Sequence, residues 1–210
     1  MARSKCNEQL AHPQTTEHYA RMDDDTFDLT GKLLLAMPEL DNTAFAQSVI
    51  LICSHDDDGA MGLIINKPRD NIDFRMLLDE MDIPTTDQRV DPCILFGGPV
   101  EGSRGFVVHR PAYHSDLSTL QVTESVAMTS TIDVIEDIAN GSGPQPALLA
   151  LGYAGWGLGQ LEAEIADNGW LIAEAADDII FGDDNAGKWV AALQSIGVDP
   201  KFLSTSFGHA

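Results

Sequence analysis

The sequence predicts an α+β fold. Three observations carry that prediction. Short apolar runs of strand character are mixed irregularly with segments of helical period, without the regular alternation of a βαβ fold. The 210 residues are 44% hydrophobic and 21% charged, ordinary values for a globular chain long enough to bury a sizeable core. No internal repeat and no linker-like stretch divides the chain, so one domain is expected.

Residues 1–26 are polar, contain Asp23-Asp24-Asp25 and lack an apolar period. They are expected to be a disordered N-terminal extension, with the domain spanning 27–210. Met1-Ala-Arg-Ser-Lys-Cys6 is basic, but no apolar run follows it, so a signal peptide is not expected. Gly31-Lys-Leu-Leu-Leu-Ala-Met-Pro38 reads as a first strand stopped by proline, followed by a loop with Asp41 and Asn42. Ser48–Cys53 and Met61–Asn66 read as a hairpin, joined through His55-Asp-Asp-Asp-Gly59 with its Asp-Gly pair. Phe74, Leu77, Leu78 and Met81 recur at helical spacing, with Asp70 or Asn71 as the expected cap.

Cys93–Phe96 is a short strand closed by Gly97-Gly98-Pro99, and Gly105–His109 is another. Leu120–Thr129 holds one or two short strands. Ser130 is the expected cap of a helix through Ile132, Ile135, Ile138 and Ala139, ended by Gly141. Pro146–Leu151 reads as a buried strand and Leu158–Ile165 as a helix. Gly169–Ala173 and Ile179–Phe181 read as extended pieces. Asp184 is the expected cap of a last helix with Ala186, Trp189, Val190, Leu193 and Ile196 on one face. Asp199-Pro200 starts one further turn.

Between the buried strand and its helix lies Leu151-Gly-Tyr-Ala-Gly-Trp-Gly-Leu-Gly-Gln-Leu-Glu162. Glycine loses the most backbone entropy on folding, so Gly152, Gly155, Gly157 and Gly159 demand a reason: positive φ, a tight turn, or close approach of a backbone or ligand. The stretch is therefore expected to be a glycine-lined strand-to-helix turn. It is not a dinucleotide fingerprint, because Gln160 or Glu162 stands where the third glycine belongs. Glu162 and Glu164 also place negative charge beside any phosphate at this helix start.

Other catalytic patterns are missing. His55 with Asp56, Asp57 and Asp58 lacks the alternating spacing of a calcium loop. His109 and His114 have no ligand at metal-site spacing. There is no Gly-x-Ser-x-Gly; Ser103 sits in Gly-Ser-Arg-Gly instead. Asn66-Lys67-Pro68 sets an amide and an ammonium at a strand end, either as an anion contact or as a held turn. Cys6, Cys53 and Cys93 are odd in number and far apart, which argues against disulfides and zinc. Cys53 and Cys93 are expected to be inert core thiols in a reducing cytoplasm.

Charge excludes more than it reveals. Twelve Lys and Arg stand against 33 Asp and Glu, a net −21. From Pro111 onward only Lys188 and Lys201 oppose 14 acids. Such a chain repels nucleic acid and anionic membranes, and no apolar window is long enough to span a bilayer.

Read together and in order, Gly31–Pro38, Gly59-Ala-Met-Gly-Leu-Ile-Ile-Asn-Lys-Pro68, Phe96-Gly-Gly-Pro-Val100, Gly105–His109, the glycine stretch 151–162, Asn168-Gly-Trp-Leu171 and the Trp189 helix resemble the bacterial YqgE/AlgH family. The resemblance implies an α+β domain whose bifurcated, mostly antiparallel sheet curls into a pseudo-barrel with helices around it. It also implies a bacterial cytoplasmic protein. It implies no known reaction, although some members carry the label of transcriptional regulator. The family commonly has Glu where Ser54 stands here, which removes an acid beside His55.

The expected function is regulatory, through a protein or small ligand bound around the glycine turn rather than through DNA. The expected site draws on Asn66, Lys67, Gly97, Gly98, His109, Tyr153, Gly155, Trp156, Gly157, Gly159, Gln160 and Glu162. No catalytic set, metal or cofactor is expected. An enzyme using Asn66, Lys67, His109 and Gln160 in the same cleft is one alternative. A DNA-binding regulator is the other.

Overall fold

The computed structural model describes residues 28–84, 91–113, 115 and 118–203. The extension expected at 1–26, together with His114, lies outside the described residues.

Strand β1 (Lys32–Ala36) has no exposed apolar residue: Leu33, Leu34 and Leu35 are all fully buried. A strand covered on both faces reads as a continuous apolar run rather than an alternation. Pro38 then opens a single 3-10 turn, Pro38–Leu40. Strands β2 (Val49–Asp56) and β3 (Gly59–Ile64) form the expected hairpin, and Gly59 adopts the φ of +137° that its tip requires. A bulge between Ile52 and Ser54 shifts their register.

Helix α1 (Phe74–Glu80) buries Phe74, Leu77 and Leu78. Its cap is Asp73, whose carboxylate accepts the Met76 N–H at 2.8 Å, and not Asp70 or Asn71. Only the residue immediately before the first helical one can reach that amide. Strands β4 (Ile94–Phe96), β5 (Val100–His109), β6 (Thr119–Gln121) and β7 (Ala127–Thr129) follow. Helix α2 (Ile132–Ala139) starts after Thr131 rather than Ser130, without a side-chain cap bond.

Strand β8 (Ala147–Gly157) is the largest departure from expectation. It does not stop at Leu151 but runs through Gly155, Trp156 and Gly157, and α3 (Gln160–Ala166) begins only two residues later. The glycine stretch is therefore a strand, and its turn is confined to Leu158-Gly159. Cross-strand pairing with β3 overrides the weak strand propensity of glycine. Strand β9 is Trp170–Glu174. Ile179–Phe181, expected to be extended, instead falls in the short helix α4 (Asp177–Ile180) and its C-cap. Helix α5 (Lys188–Ser195) begins after Gly187, and Asp184 accepts the Gly187 N–H at 3.0 Å instead of capping the helix directly. Gly197 has a φ of +76° after its end, and a last 3-10 turn occupies Pro200–Phe202.

Among the described residues nine strands join one sheet, in the order β6-β7-β5-β8-β3-β2-β1-β9, with β4 off this path. The fork lies on β8. One edge pairs with β5. The other pairs first with β4, parallel, at Leu149–Leu151, and then with β3, antiparallel, at Ala154–Gly157. This is the bifurcated, mostly antiparallel sheet that the sequence led us to expect.

Its curl is visible in the core. Leu33 and Leu35 join one apolar cluster, while Leu34 and Ala36 join another, as period two demands. The first cluster unites Val122 and Val126, beside the edge strand β6 and its neighbour β7, with Ala173 of the opposite edge strand β9, and α5 fills it with Trp189 and Leu193. Asp177 of α4 clasps the two edges together: it pairs with Arg110 at 2.8 Å and accepts from Ser125 Oγ at 3.3 Å. A further cluster packs α1 and α2 against Val107, Leu149 and Leu151. Cys53 is buried as expected, and burial pushes its thiol up to about 12. Cys93, expected in the core, is exposed.

Candidate functional site

The second half of β8 separates its residues by face. Ala154 and Trp156 point into the apolar cluster that also holds Trp170, Ile50, Ile52 and Leu161. Trp156 is 7% exposed and meets Trp170 edge to face at 6.0 Å. Both indole N–H groups donate to the same oxygen, Glu164 Oε2, at 2.9 and 2.8 Å. The other oxygen of Glu164 accepts from Gln160 Nε2 at 2.9 Å. An ionised carboxylate only accepts, so it matches three donors without a conflict. Gln160 returns along the chain with its own oxygen, accepting the Gly157 N–H at 3.1 Å. Trp156 thus anchors α3 to the sheet.

The opposite face of β8 carries Tyr153, Gly155 and Gly157. Tyr153 is half-buried, edge to face with Phe106 at 5.9 Å, and the two glycines are exposed. Across the ladder Gly157 pairs with Gly59, and Gly155 with Met61. The result is a stretch of sheet nearly bare of side chains beside an aromatic ring. Gly152 and Gly159 have positive φ, +77° and +70°, whereas Gly155 and Gly157 do not. A Cβ on Gly157 would find only Gln160 Oε1, at 3.9 Å, and one on Gly155 would meet the Tyr153 ring at 3.2 Å. The fold itself does not require glycine at 157.

The other expected site residues divide by location. Gly97 and Gly98 lie where the chain crosses β8: a Cβ on either would come within 2.2 Å of the Gly152 or Tyr153 backbone. They belong with the β8 cluster. Asn66 is buried elsewhere, accepting the Val49 N–H at 2.8 Å and donating to Gln47 O at 2.9 Å. This bond pair secures a loop in which Gln47 has a φ of +51°. Lys67 donates to Ala44 O at 2.7 Å, and burial lowers its pKa. His109 is fully buried at the far end of β8, opposite Ala147. Its Nδ1 donates to Arg110 O at 2.8 Å, and its Nε2 shares a hydrogen bond with Thr129 Oγ1 at 2.9 Å.

Two functional-looking groups escaped sequence reasoning. His55 Nε2 lies 2.7 Å from Glu162, while its Nδ1 accepts the Leu29 N–H at 3.1 Å. That amide can only donate, so the neutral ring carries its proton on Nε2 and gives it to Glu162. The acid beside His55 comes from α3, across the fold. Glu162 is held below the usual carboxylate range, first by its backbone N–H contact at the helix start and then by His55. Nothing local links residues separated by 107 positions. The second group is Lys188, which is buried and donates to Ile65 O and Ile180 O at 3.0 and 2.9 Å. Burial lowers its pKa to about 8. Its burial against two carbonyls is not announced by the neighbouring sequence.

Among the described residues no three His, Cys, Asp or Glu side chains converge as a metal site would require. Both nitrogens of His55 are engaged within the protein. What the β8 surface offers is a shape and an aromatic ring, which suit binding.

A family model described as AlgH-like matches residues 33–201. The chain belongs to the AlgH-like family. A UPF0301 protein of Paracoccus denitrificans is 52% identical over 189 residues, covering 89% of this chain and all of that one. A UPF0301 protein of Ruegeria pomeroyi is 53% identical over 184 residues, covering 87% of this chain and again all of its relative. The solution structure of the AlgH protein from Pseudomonas aeruginosa superposes with a TM-score of 0.72 at 39% identity, over 88% of this chain and 97% of that one. Family and fold agree with the resemblance seen in the sequence. The family brings no reaction with it. Among the described residues no helix is long and apolar enough to cross a membrane.

Proposed function

We propose that this chain is a bacterial cytoplasmic regulatory protein, linked to transcription through a bound protein or small ligand rather than through DNA. The contact surface in this reading is the exposed face of β8 and the start of α3: Tyr153, Gly155, Gly157, Gln160 and the bonded Glu162. One observation carries it. Gly157 has ordinary backbone geometry and room for a side chain, yet glycine in a strand costs about 0.5–1 kcal/mol relative to alanine. Close approach by another molecule is the reason that remains. The charge of −21 turns the same surface away from phosphate backbones.

Trp156 is a poor probe, because truncating a buried indole costs about 3–5 kcal/mol and would confound binding with unfolding. Gly157→Val is a better one, since valine suits an exposed strand face. Tagged wild type and Gly157→Val, first matched for melting temperature, are used to recover partners from the native cells by cross-linking, with native mass spectrometry for co-purified small molecules. We expect a partner or ligand retained by wild type and lost from the variant. Identical recoveries would remove β8 from the reading. Direct DNA retardation at about 150 mM salt would overturn the indirect route.

A further inference from the structure

A second feature lies away from the bare face of β8. Val100 pairs with Tyr153, but the next pair is Gly105 with Leu151, so residues 101–104 of β5 leave the ladder as an exposed bulge. Glu101 takes a φ of +47° there and pairs with Arg104 at 3.1 Å. Between this bulge and α1 lies a cleft of about 640 Å³, within the range of small-molecule sites. Ile72, Leu77, Met81 and Leu151 line it with apolar surface, and Arg69 and Glu80 add charge. Arg69 Nη1 donates to Gly102 O at 3.0 Å, tying the bulge to the mouth of the cleft.

Arg69 differs from two other arginines in its partner. Arg104 and Arg110 each pair with a carboxylate, whereas Arg69, like Lys67 and Lys188, donates to backbone carbonyl oxygen. Among the described residues Arg69 has no carboxylate partner, in a chain with 33 acids and 12 bases. A guanidinium has five N–H donors in a fork that fits a carboxylate, and the Gly102 carbonyl takes one of them. We propose that this cleft binds a small amphipathic monocarboxylate, its carboxylate on Arg69 and its chain along Ile72, Leu77, Met81 and Leu151. Glu80 in the same cleft repels a second negative charge, so a dianion such as phosphate binds less well. The inference does not depend on the β8 surface.

The test titrates octanoate into ¹⁵N-labelled protein, with octan-1-ol, acetate and inorganic phosphate as separate probes. Octanoate at millimolar concentration should shift the amides of Gly102, Ser103 and Leu151 and saturate, while octanol and acetate bind at least roughly tenfold more weakly. Arg69→Gln should weaken octanoate to the level of octanol. Ser103→Trp fills the cleft from an exposed position and should abolish binding; it decides the matter if the Arg69 variant loses its folded spectrum. Gly157→Val should bind octanoate as wild type does. No shift with octanoate, equal binding of octanol or phosphate, or undiminished binding by folded Arg69→Gln or Ser103→Trp would overturn the proposal.

Discussion

Lys188 shows how one residue can be both anchor and burden. Its ammonium is buried against two carbonyls rather than a carboxylate, so desolvation, the largest effect, is offset by these hydrogen bonds and by the charges of Cys93 and Asp183. A neutral amine has two N–H groups, as many as there are carbonyls to satisfy. With the folded pKa lowered from 10.5 to about 8, the unfolded chain holds the proton more tightly. Below about pH 8 both states are protonated and the folded state carries the full cost. Between about pH 8 and 10.5 the unfolded state binds more protons, so the contribution of Lys188 to stability rises with pH. Lys188→Met removes that contribution. Urea denaturation from about pH 7.5 to 10 should therefore show wild type gaining on the variant, by on the order of 2 kcal/mol. A constant difference would mean that the amine titrates normally. Cys53, raised to about 12, contributes with the opposite sign and cancels in the comparison.

At the scale of elements, the crossing of Gly97-Gly98 over β8 positions everything around it. Gly152 has a φ of +77°, and a Cβ there would lie 2.4 Å from Gly98 O and 3.0 Å from Val100 O. Backbone fills the space from both sides, so no side chain can yield. Gly152→Ala should cost about 2–4 kcal/mol in denaturant unfolding. Gly157→Ala, five residues along the same strand, should stay within about 0.5 kcal/mol of wild type or stabilise slightly, because extended backbone and open space accept the methyl. Equal losses at both positions would mean that β8 is strained throughout. This contrast corrects the sequence expectation, which gave Gly155 and Gly157 the burden of a turn.

For the whole molecule, charge is the dominant global property. The body from residue 27 onward carries 9 basic and 28 acidic residues. The ion pairs Lys32–Glu174, Arg104–Glu101 and Arg110–Asp177 are partly exposed, and each contributes little. Self-repulsion therefore weakens the compact state, and salt within a Debye length of about 8 Å relieves it. Melting temperature should climb as NaCl rises from near zero to about 150 mM. A flat or falling trend would mean that the acids are spaced widely enough not to interact.

The sequence by itself determined what depends on neighbours along the chain. Leu33–Leu35, the Asp58-Gly59 hairpin and the Phe74/Leu77/Leu78 stripe all followed from local period and turn chemistry. The order of motifs was specific enough to identify the family and, through it, the bifurcated sheet. The acidic balance was legible before any coordinate. Tertiary structure decided the rest. Ala154–Gly157 became a strand because β3 supplied a hydrogen-bonding partner from some 95 residues away, which no local propensity encodes. Asp177–Ile180 became a helix that clasps Arg110 and Ser125 from the other edge of the sheet. The His55–Glu162 pair, the two indoles on Glu164 and the Arg69–Gly102 bond likewise exist only after the sheet has curled. Period and turn chemistry act over a few residues, whereas a site is made by side chains that meet across the fold.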